Sequence, residues 1–295
     1  MANASVIVIF IDGIGIGLFD DSNPFTRNWR TNPFARFVDR DFNEWNGSNT
    51  VKTDPRLGVE GRPQSASGQT TILTGINAPK VLGNHKQGFP NQKLRELIRE
   101  ASIFKRLSAI LPKNDVTFAN AYTPQFFDSV PRFKSATTCA VEAAGLRFRN
   151  LDDIRNGNAL FHDFSNRTLI ENGHELQELS PEMAGESLAN LGSEKQFVLY
   201  EHFITDKIGH ERDFERAVKH LQGLSAFVRT VVERSDLAKT TIILTSDHGN
   251  MEDLSIRNHT LNDVPTIIWG RSKDAAAEDV RDLTDISKVV LRLLG

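Results

Sequence analysis

Short runs of apolar, mostly β-branched residues predict the strands of a sheet. They contain few polar residues and do not alternate in polarity, which is typical of strands buried on both faces, as in a mostly parallel sheet. The runs are residues 6–11, 116–121, 197–203, 241–245 and 266–269.

Segments with helical periodicity lie between these runs. Apolar residues recur every three or four positions over 91–111, where Pro112 ends the pattern, and again over 213–232. Similar patterns predict helices over 183–191 and 282–294. Strands that alternate with helices predict an α/β fold: a doubly wound, mostly parallel sheet with helices on both faces.

Two regions interrupt this alternation. Residues 22–62 are rich in Asn, Pro, Arg and Phe without clear periodicity, and we expect a long surface excursion or lid there. Residues 122–179 mix aromatic and charged residues, which predicts a small inserted cap. The predicted catalytic core then consists of residues 1–121 and 180–295.

Composition and charge narrow the class of protein. The chain has 295 residues and a formal net charge of −3, with acids and bases interspersed, so neither nucleic acid nor a membrane surface is expected as a partner. Cys139 is the only cysteine, which excludes an internal disulfide and fits a reducing compartment. The apolar run 6–11 ends in Asp12 and does not resemble a signal peptide. We expect a cytoplasmic protein, and nothing in the sequence specifies its oligomeric state.

Three aspartates follow predicted strands directly or within a few residues. Asp12 follows the first run, Asp206 the run that ends at 203, and Asp247 the run that ends at 245. Since ligands of doubly wound sheets bind outside the carboxyl ends of the strands, we expect these carboxylates at one edge. A single aspartate in such a position is most often a helix cap or a turn residue.

Three histidines accompany these aspartates. His210 lies four residues after Asp206, His248 is adjacent to Asp247, and His259 lies in the loop before the last predicted strand. Carboxylate and imidazole together are the ligands of divalent metals such as Mn and Zn. The sequence therefore predicts a metal site at the rim of the sheet.

A candidate nucleophile precedes a further helical stretch. Segment 63–75 places small hydroxyl residues, Ser65 and Ser67, at its start. A helix N-terminus offers N–H groups and positive potential to an anionic substrate. The alternative is an ordinary cap rich in serine and threonine. The glycines of 13–17 lack the spacing of a dinucleotide-binding loop.

The order of these motifs resembles that of the alkaline phosphatase superfamily. The closest likeness is to its phosphomutase branch, cofactor-independent phosphoglycerate mutase and phosphopentomutase. The similar segments are Asp-Gly-Ile-Gly-Ile-Gly at 12–17, Asp-Lys-Ile-Gly-His at 206–210, Asp-His-Gly-Asn at 247–250 and His-Thr-Leu-Asn-Asp-Val-Pro at 259–265. Gln69 stands where the mutases carry histidine, which leaves the geometry beside the nucleophile open. The resemblance covers the sheet core, not 22–62 or 122–179.

The resemblance implies two divalent metal ions and a serine nucleophile. Mn is favoured and Zn is possible. Ser65 is implied as the phosphoryl acceptor because it lies ten positions before Gly75, the offset found in related members. The implied ligands of one ion are Asp206, His210 and His259, and those of the other are Asp12, Asp247 and His248.

The implied reaction is phosphoryl transfer from a small phosphorylated metabolite through a phosphoserine. The small cap favours a phosphomonoester hydrolase, whereas the motif likeness favours a phosphomutase. A sulfatase is disfavoured because the Cys-or-Ser-x-Pro-x-Arg motif is absent around Ser65. An inactive metal-binding regulatory protein is a further alternative, against which all six ligand positions and the nucleophile argue.

Basic residues of the predicted cap are candidates for contacts to a substrate phosphate or carboxylate. For each of them the competing interpretation is a solvated charged surface. The candidates are Arg132, Arg147, Arg149 and Arg167.

Overall fold

The computed structural model describes residues 4–27, 45–129 and 133–295. Within these ranges six strands form one sheet. They are β1 (Ser5–Ile11), β2 (Asn49–Thr53), β3 (Val116–Phe118), β4 (Phe197–His202), β5 (Thr240–Thr245) and β6 (Val264–Trp269). The order across the sheet is β2-β6-β5-β1-β4-β3.

The central part of the sheet is parallel. β1 lies between β4 and β5 and is parallel to both, with Val8 opposite Leu199 on one side and Ile243 on the other. β3 is parallel to β4. The carboxyl ends of these strands therefore meet at one edge, and the prediction of a mostly parallel α/β sheet is confirmed.

Two strands at one side depart from this pattern. β6 is antiparallel to β5, because a loop without a crossover helix joins them, and β2 is antiparallel to β6. The sequence did not predict β2, since this edge strand is only partly buried and lacks an apolar run.

The expectation of a surface excursion over 22–62 is wrong for its described part. Besides contributing β2, this region buries Phe25 and Trp45 in the core, where Trp45 packs edge-on against Trp269 at 5.5 Å between ring centroids. Residues 28–44 of this region lie outside the described ranges.

Helices surround the sheet within the described ranges. They are α1 (Ser65–Thr74), α2 (Ala78–Leu82), α3 (Gln92–Ala101), α4 (Ile103–Leu107), α5 (Pro124–Asp128), α6 (Ala136–Ala143), α7 (Leu151–Arg155), α8 (Arg167–Glu171), α9 (Pro181–Glu194), α10 (Ile204–Glu211), α11 (Phe214–Arg234), α12 (Lys273–Asp279) and α13 (Thr284–Leu294), with 3-10 turns at Pro24–Thr26 and Lys113–Asp115.

The single helix predicted over 91–111 is two helices, α3 and α4. Ser102 between them is extended, with φ −61° and ψ 144°, and its hydroxyl accepts a hydrogen bond from the backbone N–H of Lys105. A buried serine that caps a new helix stops the first one, although the apolar periodicity continues past it.

Alternate residues of β1 point into two hydrophobic layers. Ile7, Ile9 and Ile11 pack with α9 and α11, whereas Val6, Val8 and Phe10 pack with α1, α3, α4, α6 and α13. Helices therefore cover both faces of the sheet, as predicted. Every helix in the described ranges is too short or too polar to cross a membrane.

Segment 122–179 packs closely against the rest of the chain. Ala140 and Val141 of α6 are buried in the same cluster as Phe104 of α4. A smaller cluster of buried residues is formed by Leu151, Ile154, Leu169, Ala121 and Ala159. The division of the chain into a core and a cap stays a prediction.

Candidate metal centre

The carboxyl ends of three parallel strands bring the predicted aspartates together. Asp12 follows β1, and its backbone N–H donates to the carbonyl of His202 at the end of β4. Asp206 lies in the first turn of α10, directly after β4, and Asp247 lies in the loop that leaves β5. Asp12 and Asp247 are buried, and Asp206 is partly buried.

Asp12, Asp247 and His248 form the first ligand group. Their ligand atoms lie within 4.8 Å of one another, with His248 Nε2 3.2 Å from Asp12 Oδ1 and 3.6 Å from Asp247 Oδ2. Asp12 Oδ1 and both oxygens of Asp247 are buried without a hydrogen-bond donor. Buried carboxylate oxygens without donors are costly, and a divalent cation among them supplies the missing charge. These residues fit a metal ion.

Asp206, His210 and His259 form the second group. His210 Nε2 lies 3.4 Å from Asp206 Oδ2 and 3.3 Å from His259 Nε2, and His259 Nε2 lies 3.5 Å from Asp206 Oδ1. His248 also approaches this group, since its ligand atom is within 4.8 Å of those of Asp206 and His259. The six residues predicted from the sequence thus come together as two adjacent triads.

Backbone carbonyls orient two of the imidazoles. The Nδ1 of His210 lies 3.0 Å from the carbonyl oxygen of Arg257, and the Nδ1 of His259 lies 2.9 Å from that of Pro63. A carbonyl only accepts, so in each ring Nδ1 carries a proton, and Nε2 is the nitrogen left to bind a metal. Both Nε2 atoms face the centre, as metal ligation requires.

Ser65 lies at the junction of the two triads. It is the first residue of α1, and its Oγ is 2.9 Å from His248 Nε2. Ser67, the other candidate, is fully buried; its hydroxyl donates to the Gln64 carbonyl and accepts from the N–H of Lys86. Ser67 is therefore engaged in holding the loop, whereas the Ser65 hydroxyl faces the centre at the positive end of a helix.

The geometry around His248 differs from that of a Ser-His-Asp triad. In such a triad one ring nitrogen meets the serine and the other meets the acid. Here Ser65, Asp12 and Asp247 all approach Nε2, while Nδ1 is buried without a hydrogen-bond partner. Convergence of oxygens on one nitrogen fits shared coordination of an ion better than proton relay through the ring.

Burial and mutual repulsion set the charge of the first triad. Burial raises the pKa of Asp12, which Asp206 raises further, and burial together with Asp12 holds the pKa of Asp247 well above its usual range. Burial opposes protonation of His248, but Asp247, Asp12 and Asp206 outweigh it and raise its pKa to about 10. The triad thus holds more negative charge than its surroundings neutralise.

The second triad is more exposed and better balanced. Although burial opposes ionisation of Asp206, hydrogen bonding to His210 and the nearby His248 and His259 lower its pKa. The hydrogen bond to Asp206 in turn raises the pKa of His210. Burial and the neighbouring His248 lower the pKa of His259 to about 4, so its ring is neutral at pH 7.

A buried carboxylate that the sequence patterns did not indicate holds the ligand-bearing loops together. Glu252 accepts hydrogen bonds from the backbone N–H groups of Gly15 and Asn250, at 2.9 and 2.8 Å, and from the side chains of Thr260 and Asn262. It lies outside every predicted strand and helix, and its only sequence signal is its closeness to the Asp-His-Gly-Asn segment.

Two amide side chains orient the aspartate ligands. Asn250 donates to Asp206 Oδ1 at 2.7 Å and to the Asp206 carbonyl at 3.1 Å. Gln69 donates to Asp12 Oδ2 at 3.2 Å. The glutamine that replaces the mutase histidine thus contacts a metal-ligand candidate directly.

Close approach of the motifs to one another explains two of their glycines. A Cβ on Gly68 of α1 would lie 2.9 Å from the Asp247 Cβ and 3.0 Å from the Asp247 carbonyl oxygen, and one on Gly15 would lie 2.1 Å from Glu252 Oε1. Neither site has room for a side chain. The glycines let α1 and the first loop reach the acids.

The structure does not bring the predicted arginine contacts to the centre. Arg147 pairs with Asp153, Arg149 turns toward Thr117 of the edge strand β3, and Arg167 pairs with Glu178 on the surface. Sequence alone could not exclude them, since their direction depends on the path of 122–179. Arg132 lies outside the described residues.

Arg62, which was not among the arginines selected from the sequence, does lie beside the centre. Its Nη1 donates to the His259 carbonyl at 2.6 Å. Together with Gln64, Gln87 and Asn258 it lines a cavity of about 400 Å³, which Ser65 and all three residues of the second triad also line.

A model of the Metalloenzyme superfamily matches residues 4–295 of the chain. Curated relatives include 2,3-bisphosphoglycerate-independent phosphoglycerate mutases from Shewanella frigidimarina and Thiobacillus denitrificans, 32% and 29% identical over 131 residues. In both cases the match covers 40% of this chain and 25% of the relative. The chain thus spans about a quarter of the length of these relatives.

Solved structures with the same fold match nearly the whole chain. The PH0037 protein from Pyrococcus horikoshii has a TM-score of 0.56 at 12% identity and covers 100% of this chain and 98% of its own. Alkaline phosphatase from the Antarctic bacterium TAB5 has a TM-score of 0.50 at 13% identity, with coverage of 99% and 98%. The fold, the motifs and the family model agree: the chain belongs to the metalloenzyme superfamily, with an alkaline phosphatase-like fold and phosphoglycerate mutases among its sequence relatives.

Proposed function

We propose that this protein is a metal-dependent phosphoryl-transfer enzyme that hydrolyses the phosphate monoester of a small metabolite, with Ser65 as the nucleophile. The observation that carries the proposal is the position of the Ser65 hydroxyl. It lies 2.9 Å from His248 Nε2, at the N-terminus of α1 and between two triads of ligand residues. Family membership supports a metal-dependent reaction.

Two divalent ions fit the ligand residues. Asp12, Asp247 and His248 would hold one ion, and Asp206, His210 and His259 the other. The absence of a cysteine ligand favours Mn, while Zn also accepts carboxylate and imidazole. When bound, such ions lower the pKa of a coordinated hydroxyl and neutralise charge on phosphoryl oxygens.

Ser65 carries the group that is transferred. Its hydroxyl oxygen attacks phosphorus and releases its proton to solvent, the bond between phosphorus and the substrate oxygen breaks, and the leaving oxygen takes up a proton from solvent to give the alcohol. The positive end of α1 favours the anionic phosphoryl group at this position. Attack of water on the phosphoserine then releases inorganic phosphate and regenerates Ser65.

The cavity beside Ser65 suits a small and polar substrate. Its volume of about 400 Å³ lies in the range of metabolite sites, and its lining contributes polar groups from Arg62, Gln64, Gln87 and Asn258. The half-exposed His210 at its rim supports hydrolysis, because water reaches the phosphoserine from this side.

A phosphomutase is a second candidate, supported by the phosphoglycerate mutases among the sequence relatives. In that reaction a second hydroxyl of the bound product, instead of water, attacks the phosphoserine. The two reactions share Ser65 and the ligands and differ only in the acceptor.

A substrate screen tests the proposal. The protein is loaded with Mn²⁺ and supplied with phosphorylated sugars, nucleotides and glycerates, and free phosphate and isomerised product are scored separately. Free phosphate supports the hydrolase and isomerised product the mutase. Ser65→Ala is expected to abolish both, whereas Ser193→Ala, which alters an exposed serine on α9, retains activity.

Two outcomes contradict the proposal. Full turnover in Ser65→Ala refutes the nucleophile. Stoichiometric binding of two ions without turnover of any substrate class favours a regulatory metal-binding protein instead.

A further inference from the structure

A second polar cavity lies far from the metal centre, at the amino-terminal end of the sheet. Its volume is about 510 Å³, and it includes Val116 and Thr117 of β3. Thr117 is level with Val198 of β4 and so with Ile7 of β1, which precedes Asp12 by five residues, or roughly 16 Å of strand. The charged residues of its lining are Lys113, Arg147, Arg149, Asp153, Glu194 and Lys195.

Arg149 is a buried cation in the wall of this cavity. Only 7% of the residue is exposed. Its Nε donates to Thr117 Oγ1 at 3.0 Å and its Nη1 donates to the carbonyl of Asn158, so neutral oxygens use two of its five N–H donors. Among the described residues, no carboxylate lies within ion-pair distance of it, and Asp153 and Glu194 attract it only through space.

A buried guanidinium without a counter-ion is unfavourable for folding. Burial lowers the pKa of Arg149, which reflects this cost. A structure retains such a group where an anion pairs with it. Arg149 lines the cavity, so the missing partner would come from there.

The remaining charges make the cavity basic. Arg147 is neutralised by two hydrogen bonds to Asp153, at 2.9 and 2.6 Å. Lys113 reaches along the cavity wall, where its Nζ lies 3.6 Å from the position of a Cβ on Gly145. Apart from the Arg147–Asp153 pair, the lining carries three cations, Lys113, Arg149 and Lys195, and one carboxylate, Glu194. The cavity therefore has two positive charges in excess.

We infer that this cavity binds the phosphoryl group of a small metabolite, held by Arg149 and Lys113. A phosphate monoester carries close to two negative charges at pH 7 and so matches the excess, whereas a carboxylate supplies only one. Arginine donors in a partly desolvated pocket bind such oxyanions strongly. This site lies beyond the proposed catalytic function and does not depend on it.

Calorimetric titration of the full chain with inorganic phosphate tests the inference. A metal chelator is present, so that the acidic metal centre repels the anion. One phosphate is expected per chain. Arg149→Met is expected to weaken binding by about tenfold or more, and Lys113→Met by several-fold, because each removes a charge-assisted contact. Arg167→Met, which alters an exposed arginine paired with Glu178, is the matched control and binds as the unmodified chain.

Three results overturn the inference. They are no heat of binding at millimolar phosphate, an affinity of the Arg149→Met and Lys113→Met variants equal to that of the unmodified chain, or acetate binding as tightly as phosphate. If Arg149→Met does not fold, as judged by circular dichroism, Lys113→Met decides alone, since Lys113 is exposed and its replacement leaves the core intact.

Discussion

At the scale of single residues, Asp247 shows how strongly function constrains this chain. Both of its carboxylate oxygens are buried without a hydrogen-bond donor, beside Asp12 and at the end of a core strand. Packing gains nothing from a charge there. Asp247 is therefore explained by the ion that it would hold.

Asp247→Asn is expected to stabilise the metal-free protein while weakening metal binding. The pKa of Asp247 is higher in the folded protein than in the unfolded chain, where it is near 3.8. The ionised carboxylate therefore lowers the free energy of unfolding at pH values above 3.8 but not below it. The gain in unfolding free energy should thus be about 1–3 kcal/mol at pH 7 and smaller near pH 4.

Urea unfolding with a chelator at both pH values measures this gain, and elemental analysis of the metal-loaded protein counts the ions. Asp236→Asn, on an exposed carboxylate, is the control. A loss of stability in metal-free Asp247→Asn contradicts the interpretation.

At the scale of elements, loops outside the strands align the ligands. Glu252 lies in the loop between β5 and β6 and accepts three hydrogen bonds from that same loop, while a fourth, from the backbone N–H of Gly15, joins it to the loop after β1. Since Asp12 lies in the first loop and His259 in the second, this carboxylate couples the two triads.

Glu252→Ala is expected to lower the unfolding free energy by roughly 2–4 kcal/mol, because it leaves several buried donors unpaired. Metal affinity should fall as well, because the two loops separate. Chemical unfolding with a chelator measures the first effect, and metal titration the second. Glu215→Ala, on an exposed glutamate of α11, should change neither by more than about 0.5 kcal/mol. An unchanged metal affinity in Glu252→Ala would show that metal binding does not depend on the contact between the two loops.

A histidine pair joins β4 to α11. His202 Nε2 lies 2.8 Å from His220 Nε2, and both rings stack on Phe164. Burial and the nearby Arg216 lower the pKa of His220 to about 4. The folded protein therefore keeps this ring neutral where the unfolded chain takes up a proton.

The sign of the pH dependence follows. The neutral His220 ring contributes to the free energy of unfolding in full above pH 6.5, and this contribution is lost as the pH falls from there toward 4. The loss is on the order of 2 kcal/mol for a partly buried ring. His220→Gln should flatten the acid limb of stability against pH, whereas His174→Gln, outside the pair, should not. If urea unfolding shows that the unfolding free energy of all three proteins depends equally on pH below 6.5, the assignment to His220 is wrong.

At the scale of the whole molecule, we expect metal binding and folding to be coupled. The six candidate ligands come from the segments after β1, β4 and β5, so only the folded chain assembles them. An ion that binds the native state alone stabilises it by about 2.7 kcal/mol at a free concentration one hundred times its Kd.

Removal of metal from the holoprotein is therefore expected to lower Tm by about 5–10 °C for a chain of this size. Thermal unfolding with Mn²⁺ and with chelator measures the shift. The double variant Asp12→Asn and Asp247→Asn should lose most of it. The same shift in that variant would assign the stabilisation to ions bound elsewhere.

The sequence alone determined the core strands, the fold class and which acids and histidines come together at one edge of the sheet. Buried strands need continuous apolar runs, and ligands in such a sheet follow the strands, so the positions of Asp12, Asp206 and Asp247 along the chain suffice to predict that they share one edge. The resemblance added Ser65, and the position of its hydroxyl agrees with that choice.

Only the tertiary structure decided the rest, because those features depend on contacts between distant segments. β2 is stabilised by pairing with β6 rather than by its own pattern, and Glu252 acquires its role from donors distant in sequence, above all Gly15 of the loop after β1. The arginines of 122–179 look equivalent in sequence. The path of the chain turned Arg149 away from the metal centre and into a separate basic cavity, and local residue patterns carry no record of such a path.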